Sequence, residues 1–104
     1  MSLLIINKLT AKTGKRDEVI DILLESGKAF DDNAACQLYL VSKDKNDENL
    51  IWVQDIWTDS DAHKQAMDND TMKAYVQKSI PLLEGMPEQI EVEAAGGKHP
   101  FNLN

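Results

Sequence analysis

The order of apolar patterns along the chain predicts an α+β sandwich, an antiparallel four-stranded sheet with its helices on one side. Three observations carry that expectation. Four short stretches, residues 3–11, 35–42, 49–57 and 89–95, have the length and alternation of strands. Two longer stretches, 13–30 and 58–83, repeat apolar residues at helical spacing. The second and third strand stretches are separated only by the polar turn formers of 43–48, which predicts a hairpin.

The first strand, LLIINKLTA, is an aliphatic run that ends in alternation. Leu3, Ile5, Asn7 and Leu9 point one way, and Leu4, Ile6, Lys8 and Thr10 the other. Asn7 is therefore an amide in line with three aliphatic side chains. Thr13-Gly14 reads as a turn and helix start, with Thr13 placed to cap and with Asp17 and Glu18 in the first turn, where the helix dipole favours acids. Val19, Ile22, Leu23 and Phe30 form the apolar stripe, widened by Ile20 and Leu24, and the helix is expected to end near Phe30. In the second strand Cys36, Leu38 and Leu40 share one face and Gln37, Tyr39 and Val41 the other. In the third, Trp52, Gln54 and Ile56 alternate with Ile51, Val53, Asp55 and Trp57, so the two tryptophans lie on opposite faces.

Thr58, with Asp61 three residues on, predicts a capped short helix to about Met67. Asp68-Asn69-Asp70 breaks it and caps another, whose stripe is Met72, Tyr75, Val76, Ser79, Ile80 and Leu83; Pro81 kinks or ends it. The fourth strand is expected to turn Ile90, Val92 and Ala94 inward and Gln89, Glu91 and Glu93 outward. The resulting order, β-α-β-β-α-α-β, is that of the ferredoxin-like sandwich. Nothing in the chain covers the far side of the sheet, which would carry Leu4, Ile6 and either the odd or the even set of the other strands. A second copy is the simplest cover, so a homodimer is expected.

The chain's length, 104 residues, suits one domain. Its 42% apolar and 28% charged residues place it among folded globular chains. Eighteen acids against 11 bases give a net charge of −7, which disfavours nucleic acid and an anionic membrane surface. No segment approaches the roughly 20 apolar residues of a membrane span. One cysteine, Cys36, excludes an intrachain disulfide and, with no basic leader, points to the cytoplasm. Two histidines 36 positions apart predict no metal site.

These residues resemble the antibiotic biosynthesis monooxygenase domain family, which includes quinol monooxygenases, over residues 3 to 95. The resemblance rests on the aliphatic first strand with its Thr13-Gly14-Lys15 turn, on D-I-W-T-D-S-D-A-H from Asp55 to His63, and on the helix from Asp70 to Leu83. The family's acid is usually Glu; Asp55 is a shortened version. The resemblance implies a dimeric α+β barrel. Residues 1–96 are read as the domain and 97–104, which lack clear periodicity, as a C-terminal tail, of which Lys98 to Asn104 is expected to pack on a partner subunit. The resemblance also implies a pocket between sheet and helices where a small aromatic, quinol-like substrate reacts with O₂ without a cofactor. The alternative is a dimeric small-ligand-binding or stress-response module without chemistry. One branch of the superfamily degrades haem. Its pocket Asn matches Asn7, but its pocket Trp and ligating His fall at Ala66 and Val76, which disfavours haem.

The candidate catalytic residues are His63 and Asn7. His63 suits a general base, the role histidine fills most often, or is a helix-start histidine bonded to Asp55 or a carbonyl. Asn7 either orients a substrate oxygen or satisfies neighbouring backbone. Trp57, Tyr75, Asp55 and Met72 are the candidate substrate-binding residues. Asp55, inside an apolar strand, needs a partner, and a lysine or His63 is expected to supply it. Tyr39 and Tyr75 are pocket donors or interface anchors. Cys36 reads as a buried, inert thiol.

Overall fold

The computed structural model describes residues 2–99. Its elements are β1 (Leu3–Thr10), α1 (Arg16–Gly27), β2 (Cys36–Lys43), β3 (Leu50–Trp57), α2 (Ser60–Met67), α3 (Asp70–Ser79) and β4 (Glu88–Glu93), with single 3₁₀ turns at Lys28–Phe30 and Ile80–Leu82. The sheet is antiparallel throughout, in the order β2-β3-β1-β4. This is the ferredoxin-like α+β sandwich. The predicted tail from residue 97 carries no regular element as far as His99, and residues 100–104 lie outside the described residues.

Register settles which side chains share a face. Leu3, Ile5, Asn7 and Leu9 stand opposite Trp57, Asp55, Val53 and Ile51. This is the side the helices cover, and it holds two connected apolar groups. Leu9, Ala11, Val19, Ile51, Val53 and Leu83 form one; Ile5, Phe30, Trp57 and Met72 form the other. Ile5, Val19, Ile51 and Trp57 are entirely enclosed. At roughly 1.5–3 kcal/mol for each large side chain removed from water, these two groups dominate the stability of the domain.

Local chemistry sets the helix ends, not always where the sequence suggests. Thr13 does not cap α1. Thr13-Gly14 is instead the middle of a turn closed by Lys15 N–H to the Lys12 carbonyl (2.9 Å), and Gly14 takes a φ of 78°, open to glycine at little cost. Asp59, not Thr58, caps α2, accepting from Ala62 N–H at 2.8 Å. Asn69 caps α3 by accepting from Met72 N–H at 2.9 Å. Leu24, expected in the α1 stripe, is half-exposed.

Two strand assignments are corrected. A bulge between Cys36 and Leu38 breaks the alternation of β2: Cys36 faces Trp57 on the covered side, whereas Leu38 faces Ile56 on the open side. In β4, Ile90 and Val92 stand beside Ile6 and Leu4 on the open face and are 57% and 40% exposed, so they are not inward. Gln89, Glu91 and Glu93 share the helix-side face with Asn7, Ile5 and Leu3. β4 is an edge strand with every residue exposed, so its apolar side is not the side its neighbours bury.

Candidate active site

The covered face of the sheet and the three helices line a mainly apolar, partly open cavity of about 220 Å³. Its floor is sheet: Asn7 and Leu9 from β1, Val53 and Asp55 from β3, Tyr39 from β2 and Gln89 from β4. Ile22, Leu23 and Ser26 of α1 close one wall. On α3 the stripe Met72, Tyr75, Val76 and Ser79 closes another, as its i, i+3, i+4, i+7 spacing requires. His63 and Met67, one turn apart on α2, complete it. Ala62 and Ala66, on the adjoining stripe of α2, pack against the Ile5–Trp57 group.

Five of the six predicted site residues therefore line one cavity: Asn7, Asp55, His63, Met72 and Tyr75. Trp57 does not. It is wholly buried behind the wall, where its indole N–H donates to Asp55 Oδ2 at 2.6 Å. Spacing of two on a strand puts both side chains on one face. The Trp57 ring also meets His63 edge-on at 5.4 Å and Phe30 at 5.1 Å. Trp57 thus abuts both Asp55 and His63 from outside the cavity. The partner expected for Asp55, a lysine or His63, is this indole.

Asp55 is 5% exposed among apolar neighbours. Burial pushes its carboxyl above the usual carboxylate range, against the opposing pull of the Trp57 hydrogen bond and of the His63 charge. The His63 ring forms no hydrogen bond to a described residue; its contacts are Trp57 and the field of Asp55. Nor do the side chains of Asn7, Tyr75 and Gln89 form one, so their polar groups are open to a cavity occupant. Ser26 and Ser79 are different: each hydroxyl donates to the carbonyl three residues back, Leu23 at 2.9 Å and Val76 at 2.8 Å.

Tyr39 donates to the Leu23 carbonyl at 3.0 Å and meets Phe30 edge-on at 5.3 Å. Burial raises its phenol above the usual value. Its ring lies so close to Gly27 that a Cβ there would sit 2.5 Å from Tyr39 Cε2; glycine at the end of α1 lets this wall close. Cys36 is half-buried, and desolvation, helped by the Asp55 charge, pushes its thiol up to about 11. That favours the inert thiol of the sequence reading.

Sequence reasoning missed Gln89, which it turned outward, and left Tyr39 open. For Gln89 the sequence held no local signal, because the face of an edge strand depends on its register with β1. Among the described residues no three His, Cys, Asp or Glu side chains come together to hold a metal ion. Val76 gives the α3 wall of the cavity an aliphatic side chain.

Comparison with known proteins bears on this arrangement. The sequence pattern of the antibiotic biosynthesis monooxygenase family matches residues 2–78. No curated protein matches the chain. Among solved structures, a Chloroflexus aurantiacus J-10-fl protein assigned to the antibiotic biosynthesis monooxygenases is 26% identical, with a TM-score of 0.83 over 95% of this chain and 98% of that one. A Caulobacter crescentus CB15 protein with the same assignment is 21% identical, with a TM-score of 0.85 over 91% of each chain. A mutant form of SnoaB of Streptomyces nogalater, a cofactor-independent oxygenase, is 16% identical, with a TM-score of 0.81 over 92% of this chain and 95% of that one. The last two likenesses, at such identities, speak to fold alone.

Proposed function

We propose that this chain, which belongs to the antibiotic biosynthesis monooxygenase family, oxidises a small hydroxylated aromatic compound with O₂ inside the helix-side cavity. The observation that carries this reading is an apolar cavity with Asp55, His63 and Asn7 gathered on its wall. Its volume of about 220 Å³ suits one substituted ring; an apolar cavity of about 150 Å³ already holds benzene.

His63 takes the proton of a ring hydroxyl, and the Asp55 carboxylate stabilises the imidazolium that forms. The Asn7 amide donates to the resulting phenolate oxygen and holds the electron-rich ring in place. The ring itself then reduces O₂. A new C–O bond forms at a ring C–H carbon, the O–O bond breaks, and one oxygen stays as a quinone carbonyl while the other leaves as water. All electrons come from the substrate, so the reaction as proposed calls on no flavin or metal. Met72 and Tyr75 pack the ring, and Trp57 acts from behind by holding Asp55.

A homodimer belongs to the same proposal. Leu40, Ile90 and Val92 are 47%, 57% and 40% exposed on the open sheet face, beside Leu4, Ile6 and Leu38, and a second copy would bury them. Sedimentation should give twice the chain mass, and Ile90→Lys should give the monomer; a monomeric unchanged protein would count against it. No helix among the described residues is long and apolar enough to cross a membrane.

Oxygen uptake with a panel of hydroquinones and phenols tests the chemistry. His63→Ala and Asn7→Ala should each slow turnover at least about tenfold. No uptake with any of them, or unaffected variants, would refute it. A module that holds an aromatic ligand without turnover is the second reading. It is favoured by the Asp55–Trp57 bond, since Asp55 and His63 are not joined as a hydrogen-bonded pair. Native mass spectrometry of protein taken from cells would separate the two: an unaltered retained ligand supports the module, an oxidised one the enzyme.

A further inference from the structure

We infer that Gln89 and Asn7 form a two-carboxamide clamp that selects aromatic compounds bearing oxygens on neighbouring ring carbons. The inference rests on the cavity being the aromatic-binding site proposed above. It adds a residue from outside the segment, 2–78, that matches the family pattern.

Asn7 and Gln89 are directly opposed across β1 and β4, on the helix-side face, and both line the cavity. Opposed residues of an antiparallel pair have Cα atoms about 4.5–5.5 Å apart, so both amides reach one small region. Neither side chain bonds to a described residue. Each carboxamide has two N–H donors and a carbonyl acceptor, so each can pair with either a hydroxyl or its anion.

Strand order then sets the order of polar groups along the floor. Gln89 on β4 comes first, Asn7 on β1 second, and Asp55 on β3, diagonally related to Asn7, third. A ring with adjacent oxygens places one on Gln89 and the other on Asn7, on the side of Asp55 and His63. A para isomer turns its second oxygen to the far end of the ring and leaves Gln89 unmatched. Gln89 is exposed at the cavity's edge, so a para isomer leaves it to water and forgoes one hydrogen bond that the adjacent-oxygen compound makes; that bond is where discrimination comes from.

Anaerobic absorbance titration of the full-length protein with 4-nitrocatechol and 4-nitrophenol tests this without requiring turnover. The unchanged protein should bind 4-nitrocatechol about tenfold more tightly, the ratio one hydrogen bond supports. Gln89→Met, of similar length and at an exposed edge-strand position, should reduce that ratio below about twofold by weakening 4-nitrocatechol far more than 4-nitrophenol. Gln89→Asn should restore part of the preference. Equal binding of the two probes by the unchanged protein, a preference that survives Gln89→Met, or no binding of either probe would overturn the clamp. A Gln89-dependent preference with no oxygen uptake on any phenol would sink the oxygenase reading and leave the clamp standing.

Discussion

Replacing Trp57 by Phe removes one donor from a fully enclosed site and keeps an aromatic ring there. Its 2.6 Å bond to Asp55 Oδ2 is the carboxyl's one hydrogen bond among the described residues. Losing a buried hydrogen bond to a charged group costs about 1.5–3 kcal/mol. The smaller ring leaves a void where Trp57 is 0% exposed, adding on the order of 1 kcal/mol. The sum, about 3 kcal/mol, lowers the melting temperature of a domain this size by about 12–24 °C. Urea unfolding followed by far-UV circular dichroism measures it. In an Asp55→Asn background the charge-assisted part is already gone, so the same change should cost about 1 kcal/mol less. A loss below about 1 kcal/mol, or an equal loss in both backgrounds, would refute the Trp57–Asp55 coupling.

Three further outcomes are expected. Asp55 holds its proton more tightly folded than unfolded, so its contribution to stability is greatest below the ordinary carboxylate value and falls as pH rises through the raised folded value; unfolding of the unchanged protein and Asp55→Asn from pH 3 upward should show their difference shifting against the unchanged protein, and a flat difference would deny the shift. Gly27→Ala meets the Tyr39 ring and should cost about 1–3 kcal/mol; in a Tyr39→Leu background the cost should vanish, and persistence there would move its cause elsewhere. Cys36, with its thiol pushed up to about 11, should alkylate with iodoacetamide near neutral pH roughly 100-fold more slowly than a free cysteine; comparable rates would contradict its burial.

Parity explains how much of this could be read beforehand. β1 and β3 are unbroken central strands, so alternation puts Asp55 and Trp57 on one face of β3 and Trp52 on the other, and Asn7 in line with Leu3, Ile5 and Leu9, as found; that these two sets share a face follows only from the register. The α3 stripe from Met72 to Ser79 follows helical spacing and lands on the cavity. The readings that failed depend on pairing between distant segments. A one-residue bulge moved Cys36 to the covered face. The edge position of β4 left Ile90 and Val92 exposed and brought Gln89 to the cavity. Trp57 was expected in the pocket on the family resemblance; its side chain instead turns its N–H to Asp55, since a buried indole and a buried carboxyl each need a partner.

The stoichiometry of oxygen consumption against quinone formed, with hydrogen peroxide assayed alongside, tests the oxygenase claim most directly. A monooxygenation drawing all its electrons from the substrate predicts one O₂ consumed per quinone, no peroxide, and both signals slowed at least about tenfold in His63→Ala. Peroxide released in step with product, or no oxygen consumed by any hydroxylated aromatic that the cavity binds, would contradict it.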